Sequence, residues 1–406
     1  MSASPKKNVA APKLRFSDFT EAWQKTRLVD VADIKRGAGS QYLTYVQTEH
    51  EGIRLIRIGD FLGSDPVFVE DTKDMKRFRL QRDDILIAGT GATAGITFKV
   101  PEKFIDFAFS YNAPRIRVRE ADSDFVVSYL KSGIILRQQH RLFTGNAQPF
   151  LDTAAIGGFK MRVPTLPEQR KIADFLTAVD GRIQQLSQKR ALLQDYKKGV
   201  MQQIFSQALR FKDDHGNEFP DWQQKTLGEV CEIVNGLTYS PEDVVTDGLL
   251  VLRSSNVQDG KIVFGDNVYV KAKVNDWNMS RPDDILICVR NGSKSLIGKN
   301  AIIPEGGPQS THGAFMTVLR GKQNRFVFQL LQTDVYKRNV HINLGATINS
   351  INGSDLKRFK FWFPSVSEQT KIANFLTALD RKIESVAHQI AHTQSFKKGL
   401  LQQMFV

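Results

Sequence analysis

The strongest constraint on this chain is that it is written twice, with a period close to 200 residues. The run Glu168-Gln169-Arg170-Lys171-Ile172-Ala173-Asp174-Phe175-Leu176-Thr177-Ala178-Val179-Asp180 returns as Glu368-Gln369-Thr370-Lys371-Ile372-Ala373-Asn374-Phe375-Leu376-Thr377-Ala378-Leu379-Asp380. Lys197-Lys198-Gly199 and Gln202-Gln203 return as Lys397-Lys398-Gly399 and Gln402-Gln403. Upstream the match thins to anchors: Asp83-Asp84-Ile85-Leu86-Ile87 with Asp283-Asp284-Ile285-Leu286-Ile287, and Leu14-Arg15-Phe16 and Trp23 with Leu209-Arg210-Phe211 and Trp222. A repeat this long is a duplicated domain, not a solenoid unit. The second copy follows the first helical run directly, and Leu14 to Phe16 opens the chain as Leu209 to Phe211 opens that copy. If both copies fold alike, the two chain ends lie close together and the molecule is pseudo-twofold.

The best-matched stretches read as long helices. Ile172, Leu176, Val179, Ile183, Leu186 and Leu193, and then Ile372, Leu376, Leu379, Ile383, Val386 and Ile390, recur in steps of mostly three and four residues. That period is the seam of a coiled coil. Arg190 and Lys197 interrupt the first seam, and Thr393 and Lys397 the second. The expected fold is therefore α+β: two similar mixed α/β domains joined by two long antiparallel coiled-coil helices. The expected boundaries are a flexible N-terminus at 1–12, domains at 13–166 and 207–366, and helices at 167–206 and 367–406. Strands are expected over Ile53 to Ile58, Asp84 to Ala88, Ile96 to Val100, Ala113 to Val118 and Lys160 to Val163. Helices are expected over Phe125 to Gln139 and Phe326 to Arg338.

Charge narrows the partners. A net charge of +13 favours a polyanion, nucleic acid or an anionic membrane surface. The helices carry mixed charge and no aromatic-rich apolar face, which disfavours the membrane surface. No apolar run has the length of a signal segment or a membrane span, so a cytoplasmic protein is expected. Polar and basic residues crowd the loops. In the first copy Arg54, Arg57, Thr90, Thr93, Lys99, Asn112, Arg115, Asn146 and Gln148 are candidates to meet DNA. In the second they are Arg253, Ser254, Asn256, Arg290, Asn291, Lys294, Lys299, His312 and Asn349. Arginine pairs with guanine and asparagine or glutamine with adenine, while lysine mostly holds phosphate.

Catalytic motifs fail one by one. Gly89-Thr90-Gly91-Ala92-Thr93-Ala94 satisfies a dinucleotide pattern, but a β-rich run closed by Pro101 follows it where a helix is required. There is no phosphate-cradling G-x-x-x-x-G-K-[ST] loop, no methyltransferase N-P-P-Y or D-P-P-Y, and no nuclease acid-x-Lys after Pro282-Asp283-Asp284. Cys231 and Cys288 form no zinc spacing, and His388 with His392 lacks a third ligand. No catalytic residue, cofactor or metal is expected in this chain.

The segment Pro164-x-x-Pro167-Glu168-Gln169-x-Lys171-Ile172-Ala173-x-Phe175-Leu176, closing in Lys197-Lys198-Gly199-x-x-Gln202-Gln203-x-Phe205, resembles the conserved helical region of type I restriction–modification specificity subunits. Its duplicate from Glu368 to Phe405 resembles it equally, and the order domain, helix, domain, helix is similar to that family's. Gly52 to Asp60 and Asp84 to Ile87 resemble motifs of its target-recognition domains. The resemblance implies a non-catalytic DNA-binding subunit that reads a split, asymmetric target on double-stranded DNA. It implies helices that set the spacer and dock two methyltransferase subunits, through which restriction subunits join. S-adenosylmethionine, ATP and magnesium would belong to those partners. Ser367 in place of Pro167, and Arg290 in place of Thr90, imply that the two half-sites differ. The competing expectation is a stand-alone DNA-binding regulator on the same duplicated scaffold.

Overall fold

The computed structural model describes residues 11–144, 148–344 and 349–406; residues 1–10 of the expected N-terminal segment and the candidate Asn146 lie outside them. The chain divides into two compact units, one running to Gln188 and including Ala387–Val406, the other Lys189–Val386. Each unit therefore takes part of both long helices, Leu166–Phe205 with 40 residues and Val366–Gln403 with 38.

Within the first unit Ile172, Leu176 and Val179 share a core with Leu400 and Met404, so rising numbers on one helix meet falling numbers on the other. Within the second, Val200 and Ile204 share a core with Ile372 and Leu376. The pairing is antiparallel in both, as expected. Leu186 and Val386 are also buried, and Ile183, Leu193, Leu379, Ile383 and Ile390 are half-buried. Fully burying such a side chain contributes about 1.5–3 kcal/mol, and the half-buried ones contribute less. The lysines that break the apolar seam are themselves cross-helix partners. Lys397 Nζ lies 2.6 Å from Asp180 in the first unit, and Lys197 Nζ lies 2.6 Å from Asp380 in the second.

The repeated Glu-Gln pair at the start of each helix ties that helix to its own domain. Glu168 is buried and accepts two bonds from Arg15, Nε and Nη2 both at 2.8 Å, and one from Trp23 Nε1 at 3.2 Å. Glu368 does the same with Arg210, at 3.2 and 2.8 Å, and Trp222 at 3.2 Å. Gln169 and Gln369 each donate back to a proline carbonyl, Pro164 and Pro364, at 2.9 and 2.8 Å. The Leu-Arg-Phe…Trp anchors recur because they complete this buried knot. The Leu14 N–H donates to the Gln403 carbonyl at 3.0 Å, as the Leu209 N–H donates to Gln203 at 3.0 Å. What the second unit does along continuous chain, the first does between its two chain ends, which meet as expected.

The domain of each unit holds three sheets of matching order. In the first unit Gln24–Arg27 pairs with Lys160–Val163. A four-stranded sheet runs Ala32–Lys35, Arg115–Val118, Ile85–Ile87, Thr97–Lys99, and a second runs Tyr45–Val46, Phe68–Val69, Ile53–Ile56, Ala108–Phe109. The second unit repeats this plan with Gln223–Thr226 on Lys360–Phe363, and extends the middle sheet to six strands with Lys261–Ile262 and Val257–Gln258. The repeated Asp-Asp-Ile-Leu-Ile motif is a turn entering the central strand. Asp83 and Asp283 adopt positive φ, 64° and 65°. Buried Asp84 caps the Gln81 N–H at 2.7 Å and pairs with Arg117 at 2.7 Å, and Asp284 likewise caps Arg281 and pairs with Arg320.

The expected strands form, Lys160–Val163 with the expected bounds and the other four each two residues shorter. The two expected helices do not run unbroken. Phe125 to Gln139 divides into Ser123–Leu130 and Gly133–Phe143, because Ser132 is extended with ψ of 156°. Phe326 to Arg338 divides into Asn324–Leu330 and Asp334–Asn343, with extended Thr333 accepting from the Tyr336 N–H. The Thr333 hydroxyl offers a local backbone bond that competes with helix continuation, whereas the Ser132 hydroxyl makes none. Among the described residues no helix is long and apolar enough to cross a membrane.

Candidate nucleic-acid interface

Four backbone segments converge in each unit. In the first, residues 36–39 leave the strand Ala32–Lys35 and cross the segment that follows Ala108–Phe109. The Ala38 N–H donates to Phe109 at 2.8 Å and the Tyr111 N–H donates to Ala38 at 2.9 Å. Beside them Gly89 donates to Asn112 at 2.9 Å and accepts from Leu151 at 2.8 Å, and Thr90 bridges to Phe150. The second unit repeats each step. Leu237 donates to His312 at 2.7 Å, Ala314 to Leu237 at 2.9 Å, Val289 to Phe315 at 3.0 Å and Ile351 to Val289 at 2.9 Å, while Arg290 bridges to Ser350. The close crossing needs glycine. A Cβ on Gly37 would stand 2.1 Å from the Phe109 carbonyl oxygen, and one on Gly236 would stand 2.1 Å from that of Gly313.

On this shared frame the two units present different side chains. The first shows Arg36, Tyr111 and Phe150, with the Arg36 guanidinium 4.4 Å from the Tyr111 ring centre and 5.1 Å from that of Phe150. The second shows Arg290 over Phe315 at 5.8 Å. Tyr111, Phe150 and Phe315 are 46%, 45% and 59% exposed. Arg36 and the three rings escape sequence reasoning because Tyr111 and Phe150 lie far from Arg36 along the chain. The signal that could have found them is Gly37 matching Gly236 next to a variable residue, Arg36 against Asn235.

The expected loop residues separate into three groups. Thr90, Asn112 and Gln148 fall on the convergence of the first unit, with Thr93 one short turn away in Gly91–Thr93. Ser254, Arg290, Asn291 and Asn349 fall on that of the second, where Asn291 Nδ2 donates to Ser254 Oγ at 3.1 Å and Asn349 Nδ2 to the Gly292 carbonyl at 3.0 Å. A second group is held by carboxylates. Arg54 and Arg57 both pair with Asp60, at 2.7 and 3.5 Å, Lys99 with Asp83 and Asp124, and Arg253 with Asp266 at 2.8 Å. The third is internal. Arg115 is buried on its strand against Asp33, Asn256 is buried and bonds the Arg253 N–H and the Val263 carbonyl, and His312 is buried. Lys294 is exposed and Lys299 half-buried on the turn after Cys288.

His312 lies under the second convergence, with Nε2 3.0 Å from the Val234 carbonyl oxygen. Burial pushes its pKa below the ordinary value of 6.5. The unfolded chain therefore binds a proton at a pH where the folded chain does not. The contribution of His312 to stability is full above pH 6.5 and falls as pH drops below it, by at most about 1.4 kcal/mol per unit. Urea unfolding of the wild type and His312→Gln between pH 5 and 7.5 checks this: the wild type should lose more stability over that range. Parallel pH profiles would contradict it.

Among the described residues no group of three or more His, Cys, Asp or Glu could hold a metal. Cys231 and Cys288 are free and buried, and burial raises both thiol pKa values, that of Cys231 to about 12. Neither is a poised nucleophile.

Each copy therefore mounts different side chains on one shared backbone frame. The family model "Type I restriction modification DNA specificity domain" matches this chain twice, at residues 20–194 and 220–392. The chain belongs to that family, and is a non-catalytic specificity subunit. It is 24% identical over 396 residues to the type I restriction enzyme MjaVIII specificity subunit of Methanocaldococcus jannaschii, covering 94% of this chain and 91% of that one. It is 29% identical over 175 residues to the EcoKI specificity subunit of Escherichia coli, covering 40% of this chain and 37% of that one. Its fold is similar to the crystal structure of the type I restriction-modification system S subunit from M. genitalium, with a TM-score of 0.60, 16% identity, and 98% and 99% of the two chains covered.

Proposed function

We propose that this chain reads a bipartite, asymmetric target on double-stranded DNA, one half through each of two target-recognition domains, 13–166 and 207–366. The helical stretches 167–206 and 367–406 act as the spacer and dock two methyltransferase subunits, and restriction subunits join through those. S-adenosylmethionine, ATP and magnesium are bound by the partners, in the cytoplasm. The observation that carries this reading is one backbone frame occurring twice with different side chains on it. Such a frame reads two different sequences in one way. Thr90, Thr93, Asn112 and Gln148 are the DNA-facing polar groups in the first half, and Ser254, Arg290, Asn291 and Asn349 in the second. Carboxylate-held Arg54, Arg57, Lys99 and Arg253 shape the domain around them.

The test is co-expression with the methyltransferase encoded beside it, co-purification, and sequencing of the methylated genome. A split methylated motif is expected, altered on one side only when residues 13–163 are exchanged for those of a relative. No methyltransferase binding and no split motif would leave a stand-alone DNA-binding protein.

A further inference from the structure

We propose that Arg36 in the first unit and Arg290 in the second each read a guanine in their half-sites, held in pose by exposed aromatic rings. This rests on the half-site reading above and assigns the residue that reads a defined base.

The case starts from how several other cations of the first domain are used. Arg54, Arg57, Arg79, Arg117 and Lys99 all face carboxylates, at distances of 2.5 to 3.5 Å. A carboxylate takes up guanidinium N–H groups in the same bidentate geometry that a base would need. Such arginines are already occupied. Arg36 has no carboxylate partner among the described residues and lies over the rings of Tyr111 and Phe150. Arg77, over Tyr42 and Phe78, shares that state but sits in Lys73–Phe78, which is not one of the converging segments. An aromatic face attracts the cation without accepting its in-plane N–H groups, so the plane is fixed while the donors stay free. That is the state a side chain needs to meet the O6 and N7 acceptors of guanine in the major groove. The two rings, half exposed, are positioning residues: they remove rotamer freedom before DNA arrives.

The second unit reaches the same result from another place. Arg290 is exposed, has no carboxylate partner among the described residues, and lies over Phe315. On the matched frame, Asn235 stands where the first unit has Arg36, and Thr90 stands where the second has Arg290. The arginine has changed segments, from the one preceding the glycine crossing to the one following the central strand. The guanine therefore occupies a different position within each half-site.

The experiment uses the full chain co-expressed with its methyltransferase, and compares methylated motifs for the wild type, Arg36→Ala, Arg36→Lys and Arg290→Ala. Arg36→Ala should leave the motif split but make one former guanine position degenerate, in one half only. Preference for that base should fall roughly ten- to a hundredfold. Arg290→Ala should do the same in the other half. Arg36→Lys keeps the charge and loses the fork, so it should relax the same position; it decides the matter if the alanine variant does not fold. An unchanged motif overturns the assignment while leaving half-site reading intact. So does a uniform fall in methylation at every site, the mark of a phosphate contact, or a wild-type half-site lacking any G·C pair. A wild-type chain that directs no split motif overturns both the assignment and the reading beneath it.

Discussion

Replacing Glu168 or Glu368 by alanine should destabilise its own unit by about 3–5 kcal/mol. Each carboxylate is buried, and each satisfies an arginine fork and an indole N–H. Removing it leaves Arg15 charged and largely buried without its carboxylate, or Arg210 with only the exposed Asp221 at 3.7 Å, and Trp23 or Trp222 with an unmet donor. The cost comes chiefly from those orphaned partners, because a buried ion pair as a whole contributes little beyond its own desolvation. Two comparisons separate that cause from simple loss of packing. Arg15→Met with Glu168→Leu should recover most of the stability, since no charge is then stranded. Glu168→Gln should fall between, keeping shape and an acceptor while losing the ion pair. Denaturant unfolding with separate probes for the two units measures all three. An E168A loss below about 1 kcal/mol, the scale of a surface pair, would mean the knot is not the anchor of the helix.

This knot marks the boundary of what could be read in advance. The repeat, the α+β class, the helix seams and the meeting of the chain ends were legible because periodicity and duplication are properties of order along the chain. The partners inside each copy were not. Nothing in the order of residues says that Arg15 seeks Glu168 and Arg117 seeks Asp84, or that Arg54 and Arg57 share Asp60. A basic loop residue looks free in sequence until a carboxylate distant in the chain is found to face it. For that reason the expected loop residues divide as they do, while Arg36 escapes because the rings beside it, Tyr111 and Phe150, are distant in the chain. The two broken helices have the opposite origin. Ser132 and Thr333 were visible, but the apolar period on either side outweighed a single capping residue.

Gly37→Ala should weaken the loop frame of the first unit by roughly 2 kcal/mol or more, through backbone and not side-chain contacts. The added carbon would stand 2.1 Å from the Phe109 carbonyl oxygen and 2.4 Å from that of Ser110, both backbone atoms with no rotamer to relax. The strand end must lift, which breaks the bonds from Ala38 to Phe109 and from Tyr111 to Ala38. Tyr111 then moves away from Arg36, and the frame loses its pose before the core of the unit is touched. Hydrogen exchange should show lost protection at Ala38 and Tyr111, with Leu86 and Ile116 in the central strands unchanged. In the methyltransferase complex, reading of one half-site should weaken while the other half stays intact. Gly236→Ala should mirror this, since its carbon would meet Gly313 at the same distance. Protection spread evenly over both units, or a methylated motif unaltered in either half, would show that the crossing is spacious enough to yield. The duplicated glycine would then hold no part of the recognition frame.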